Sequence, residues 1–218
     1  MKKILLVAMT IMLCSFAFCA DIDSIKKAAE QGDANAQLTL GVAYSLGEGV
    51  PQDYKESVKW FRKAAEQGDA GAQFHIGGAY VQGKGVPQDY KESVKWYLKA
   101  AEQGHADAQF SLGFVYFLGK GVPQDYKESV KWFRKAAEQG DSNAQFQIGA
   151  AYSLGKGVPQ DYSEAYFWLN LAASLDSNYA KWRDNAAANL APSKIEEVQA
   201  RCKKWSEDFE KRKALKKP

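Results

Sequence analysis

The stretch GVPQDYKESVKWFRKAAEQG, residues 49–68, decides the reading of this chain. It returns unchanged at 121–140, and at 85–104 only Tyr97 and Leu98 differ. A fourth copy opens at Gly157, so the period is 36 residues throughout. Working outward, a second block, Ala-Gln-x-x-(Leu/Ile)-Gly-x-x-Tyr-x-x-Gly, begins at Ala36, Ala72, Ala108 and Ala144. Four full units therefore tile about 33–176. Residues 21–32, which end in KAAEQG, are the second half of an earlier unit.

Each unit predicts two helices. Helix A runs from Ala34 to Leu46, with Asp33 as N-cap, because its carboxylate can accept from the free N–H groups of the first turn. Gly47 and Gly49 stop that helix, and Pro51 stiffens the link. Asp53 caps helix B, and Glu56 three residues on makes a capping-box pattern. Helix B runs to Gln67, with Gly68 at C′. Its apolar stripe is Val58, Phe61 and Ala65, flanked by Trp60 and Ala64. Lys55, Lys59, Arg62, Lys63 and Glu66 fall on the wet side. Gly41 and Ala36 are small where the helix pair must approach closely. No segment has the period of a strand.

One such pair cannot bury its apolar face alone, whereas stacked pairs bury a continuous one. The expected fold is an all-α solenoid. Beyond the last unit, Asn178–Leu190 predicts a helix. A second starts at Pro192–Ser193, with Ser193 and Glu196 as a capping box and Ile195, Val198, Cys202, Trp205 and Phe209 along one side. The expected organisation is a leader at 1–20, repeats at 21–176, and capping helices with a basic tail at 177–218.

The whole motif, A-Q-x-x-L-G-x-x-Y-x-x-G-x-G-V-P-Q-D-Y-x-x-x-x-x-W-x-x-x-A-A-x-x-G, resembles the Sel1-like repeat family, relatives of the tetratricopeptide repeat. The likeness covers about 25–176, and Tyr166–Ala173 is similar to the family's terminal units. The resemblance implies a right-handed superhelix with its A helices on the concave side, acting as an adaptor in protein complexes and, in exported bacterial members, at the cell envelope or in host contact. One cysteine-rich branch is linked to penicillin binding and weak β-lactam hydrolysis. The disulfide cysteines of that branch's repeats are missing here.

Composition fits a soluble globular chain, with 46% hydrophobic and 25% charged residues in 218. A net charge of +3 does not mark a nucleic-acid binder. The opening MKKILLVAMTIMLCSFAFCAD reads as a secretory signal peptide, cleaved after Cys19 or Ala20, or else as a retained anchor helix. Phe18 is too bulky before Cys19 for lipidation. Cleavage leaves Cys202 alone, hence no internal disulfide, and a periplasmic or secreted protein. Residues 21–200 carry 19 basic and 23 acidic side chains, but 201–218 carry eight and three. Such a tail can reach anionic lipid or an acidic partner, or simply be solvated.

The repeats diverge along one face of helix A, at positions i, i+4, i+7 and i+11. The units read Asn35, Thr39, Val42, Leu46; Gly71, His75, Gly78, Gln82; Asp107, Ser111, Phe114, Leu118; and Asn143, Gln147, Ala150, Leu154. Junctions between near-copies must stay alike, so divergence marks positions free of packing: an exposed recognition stripe for a protein or peptide, or else neutral drift on a wet face. Val115 and Phe117 add to the third unit, where Phe114, Phe117 and Leu118 predict an apolar patch, with Phe114 as the anchor.

Other candidates read as structural. His75 and His105 lie apart, without converging ligands or an orienting partner. The Gly-x-Gly turns follow no strand and are not phosphate loops. Lys84, Lys120 and Lys156, with Glu48, form a charged edge in these turns or a solvated loop. Trp60, Trp96, Trp132 and Trp168 are periodic core aromatics. Cys202 is a buried thiol. The rival function, a weak β-lactam or cell-wall hydrolase, needs a nucleophile with a base. The Asp23-Ser24-Ile25-Lys26 region reads only as an amphipathic helix start. No cofactor or metal is expected.

Overall fold

The computed structural model describes residues 22–215, so the signal peptide expected at 1–20 lies outside the described residues. The chain falls into two compact units that divide between His105 and Ala106. In the first, 22–30 form α1, followed by α2 (Ala34–Leu46), α3 (Tyr54–Glu66), α4 (Ala70–Gln82) and α5 (Tyr90–Glu102). In the second come α6 (Ala106–Leu118), α7 (Tyr126–Glu138), α8 (Ser142–Leu154), α9 (Tyr162–Leu175), a 3₁₀ turn (Ser177–Tyr179), α10 (Ala180–Ala187) and α11 (Pro192–Leu215). No strand occurs among the described residues, and no helix there is long and apolar enough to cross a membrane. The expected A and B helices pair as α2/α3, α4/α5, α6/α7 and α8/α9. Pairs stack in chain order inside each unit, α3 on α4 and α7 on α8. This is an α-solenoid arrangement.

The caps work as the sequence dictates, with one change. Asp33 Oδ1 accepts from the Ala36 N–H at 2.6 Å, and Asp53 Oδ1 accepts from the Lys55 and Glu56 N–H groups at 2.9 and 3.0 Å. The capping box is not closed. The Asp53 N–H donates to the Tyr44 carbonyl at 2.9 Å, and Glu56 instead pairs with Lys59 at 2.7 Å. The loop is thus tied back to helix A, which leaves Glu56 free for its helix neighbour.

Close approach explains the glycines. A Cβ on Gly41 would stand 2.6 Å from Phe61 Cδ1, and one on Gly77 2.5 Å from Tyr97. The second glycine of Gly-x-Gly does more than turn the chain. A Cβ on Gly85 would overlap the Tyr54 carbonyl of the preceding repeat, and one on Gly157 the Tyr126 carbonyl.

The Ala-Gln pair is a hidden ladder. Gln37 Nε2 donates to the Ala29 carbonyl at 3.0 Å, while its Oε1 accepts from Gln67 Nε2 at 2.8 Å. Gln103 reaches Gln73, and Gln139 reaches Gln109, at the same 2.8 Å. Gln73 Nε2 likewise donates to the Ala65 carbonyl at 3.2 Å, so Gln37 and Gln73 each tie the end of one B helix to the end of the next, satisfying groups that would be costly to leave bare. Trp60, Trp96, Trp132 and Trp168 are buried, as their period demands, and Lys63 Nζ stands 3.8 Å over the Trp60 ring.

In the second unit α10 and α11 pack on α9. Val198 and Cys202 are buried, and Arg201 forks onto Glu164 while lying 3.9 Å over Phe167. The helix expected over Asn178–Leu190 is shorter, split between the 3₁₀ turn and α10. The α11 helix starts at Pro192, so Ser193 sits inside its first turn rather than at the cap.

Candidate functional site

None of the stripe residues is buried. Asn35, Thr39, Leu46, His75, Gln82, Asp107, Leu118, Asn143 and Leu154 are exposed. Val42, Gly71, Gly78, Ser111, Phe114, Gln147 and Ala150 are half-buried. On the opposite side of each helix A, Leu40, Ile76, Leu112 and Ile148 are fully sealed. The face that varies is therefore the face that water reaches.

Several stripe side chains already have structural work. Thr39 Oγ1 donates to the Asn35 carbonyl at 2.8 Å. The His75 ring stacks on Phe61, with centroids 4.7 Å apart. Tyr179 Oη donates to Asn143 Oδ1 at 2.5 Å. Phe114 is not a free anchor: its ring meets Phe110 and Phe133 edge-on at 5.0 and 5.2 Å and belongs to the core as much as to the surface. Val115 does not join the apolar patch, because it turns inward and is buried.

Each unit holds a groove where one repeat's A helix lies beside the preceding pair. In the first unit it measures about 340 Å³ and is lined by Ser45, Leu46, Gln52, Phe61, His75, Gly78 and Gln82, with Lys84. In the second it measures about 230 Å³ and is lined by Phe117, Phe133, Phe146, Ala150, Leu154 and Trp182, with Lys156. The same register positions build both, with different chemistry. Ser45 and Gln82 help make the first polar, whereas Phe117 and Leu154 in their places make the second largely apolar, with Gln147 still polar in the place of His75.

The stripe thus recovers only part of either groove. Tyr126 is identical in all four repeats, and Phe133 and Phe146 alternate only with Tyr or Leu, so all three read as core and were hidden. Trp182 comes from α10, outside any repeat. Its signal was a bulky aromatic on an otherwise polar helix, and 41% of it remains exposed.

The remaining candidates stay structural. His105 stacks on Phe74 at 5.0 Å. Among the described residues no three His, Cys, Asp or Glu side chains converge on a metal position. Lys84, Lys120 and Lys156 are all exposed. Cys202 Sγ donates to the Phe167 carbonyl at 3.6 Å, and burial pushes its thiol above the usual range. One serine–lysine pair has hydrolase-like spacing inside a repeat, Ser153 and Lys156. Ser153 Oγ is spent on the Gly149 carbonyl at 3.0 Å. It also lies in the last turn of α8, where the helix end offers carbonyls rather than the N–H donors an oxyanion needs.

No curated protein matches this chain significantly. Among solved structures, it is similar to c5321, a protective antigen present in uropathogenic Escherichia coli strains displaying an SLR fold. That likeness has 37% identity and a TM-score of 0.76, over 86% of this chain and 41% of that one. A Sel1 repeat protein from Oxalobacter formigenes is likewise 37% identical, with a TM-score of 0.72, over 77% of this chain and 49% of its own. The chain therefore spans less than half the length of either. A putative sel1 repeat protein from Klebsiella pneumoniae, 22% identical with a TM-score of 0.50 over 75% of this chain and 82% of its own, shares the fold. The Sel1 repeat model matches four times, at 34–69, 70–105, 106–141 and 142–177, in register with the four helix pairs. This chain belongs to the Sel1 repeat family, whose helical scaffolds commonly mediate protein interactions.

Proposed function

We propose that this protein is an exported, non-enzymatic scaffold that binds a protein or peptide partner along the A-helix face of its repeats, the face expected to be concave. The observation that carries this reading is the contrast within helix A: the divergent positions are all exposed or half-buried, while Leu40, Ile76, Leu112 and Ile148 on the other side are sealed. A preformed surface of this kind loses little ordering entropy on binding. Export is supported by the basic, apolar and small-residue order of the first 20 residues. It is in keeping with a relative that is a protective antigen. A cell-envelope component is the natural partner class for a protein so placed.

The test is capture from a native envelope extract on immobilised protein, read by mass spectrometry beside a variant with Thr39→Lys, His75→Glu, Ser111→Lys and Gln147→Glu together. These positions are exposed or half-buried, so the variant should keep its helical circular dichroism. Partners retained by the wild type and lost by the variant support the proposal. Equal capture by both overturns it. Turnover of nitrocefin or peptidoglycan by the wild type would overturn the non-enzymatic half. Recovery of the chain with Met1 intact from the cytosol alone would overturn export.

A further inference from the structure

Resting on that reading, we infer that the second unit's groove takes one large apolar side chain of a peptide whose neighbouring residue is acidic. Its volume of about 230 Å³ falls below the roughly 300–1,000 Å³ of sites that enclose whole small molecules. It suits a single side chain with the rest of the ligand outside. The lining is mainly apolar and aromatic, with Ser129, Gln147 and Lys156 its polar members, and Leu154 and Trp182 remain 57% and 41% exposed. Such uncovered apolar surface favours a guest that displaces water.

Trp182 is held ready rather than loose. It meets Phe146 edge-on at 5.3 Å, and Tyr179 stacks on that same Phe146 ring at 4.5 Å while bonded to Asn143. Little ordering remains to be done on binding.

Lys156 sets the charge of the guest. Its ammonium stands 5.6 Å from the Tyr126 ring centroid and 5.8 Å from that of Phe117, and no described carboxylate pairs with it. Aromatic faces could in principle cage a cation. Here the protein's own cation already occupies them, so a cationic guest meets repulsion and a carboxylate meets an unpaired ammonium. The first unit's groove has a lysine in the same register, Lys84, but lines it with Ser45, His75 and Gln82. Apolar anchoring therefore belongs to the second unit.

The test uses the full chain and three fluorescein-labelled, end-blocked Gly-Ser peptides carrying Phe-Glu, Phe-Lys or Ala-Glu, read by anisotropy. The Phe-Glu peptide should bind at least about tenfold more tightly than Ala-Glu, as expected for a buried aromatic anchor, and roughly threefold more tightly than Phe-Lys, as expected for one exposed charge pair. Lys156→Glu should reverse the order of Phe-Glu and Phe-Lys, which a merely structural lysine would not do. Ala150→Trp, filling the groove, should abolish binding of every peptide. An unchanged order in Lys156→Glu, or unchanged binding in Ala150→Trp, overturns the inference. If the peptides fail while Ala150→Trp still captures envelope partners at the wild-type level, this inference falls and the broader proposal stands.

Discussion

The glutamine ladder stops one rung early, and that makes a clean test of what holds the repeats together. Gln37, Gln73 and Gln109 each accept, on their buried Oε1, a 2.8 Å bond from a glutamine thirty residues on. Gln145 is the fourth of the series and is fully buried, but its Oε1 has no partner among the described residues. The residue in register is Leu175, 65% exposed at the end of α9. Leu175→Gln should supply the missing donor and remove little burial in exchange. A hydrogen bond made to an otherwise bare buried acceptor contributes about 0.5–1.5 kcal/mol net. At about 2–4 °C per kcal/mol for a chain of this size, Tm should rise by about 1–6 °C. Leu118→Gln, also more than half exposed but facing no orphan acceptor, is the control and should change stability by less than about 0.5 kcal/mol. Guanidinium and thermal unfolding followed by circular dichroism measure both. A Leu175→Gln protein no more stable than the Leu118→Gln control would refute the idea that the ladder stabilises the junctions.

Two further outcomes follow from buried groups. Ser129 Oγ donates to the Gly113 carbonyl at 2.7 Å, whereas Ser93 Oγ is buried without a partner and Ala165 fills the same place in the fourth repeat. Ser129→Ala should lose about 1 kcal/mol in denaturant unfolding, and Ser93→Ala should lose none. The raised Cys202 thiol holds its proton more tightly in the folded state than unfolded. Its contribution to stability is complete below the ordinary thiol range and falls away as pH rises through the folded value. Ellman's reagent at pH 8 should therefore react slowly with the native protein and at once after unfolding, and Cys202→Ala should flatten the alkaline loss of stability.

What the residues revealed beforehand, and what they concealed, divides along physical lines. The helices were legible because caps and breakers are local: Asp33, Asp53, Gly47 and Pro51 act within a few residues of themselves. The solenoid was legible because a period of 36 leaves no other way to bury Val58, Phe61 and Ala65 in every copy. That the stripe is unburied was legible because divergence marks looser packing constraints, but the structural contacts of His75 and Phe114 were not. The grooves were not, since Phe133 and Phe146 vary only among bulky apolar and aromatic residues (Phe, Tyr or Leu) and so read as core, and Trp182 arrives from outside the repeats. The open capping box was also hidden, because the claim of the Tyr44 carbonyl on the Asp53 N–H is made across the turn. The ladder was hidden too, since a repeated glutamine reads as an ordinary polar residue until its partner thirty positions away is seen.

One contact described above has a reach beyond its size. At Gly85 and Gly157 a loop rests directly on the main chain of the preceding rung, with no room for even a methyl group between them. The pitch at these two steps is consequently fixed by peptide units, which mutation cannot alter, instead of by side chains, which it can. A lineage carrying this frame is free to repaint its outward face residue by residue while the spacing of these two steps stays where it was.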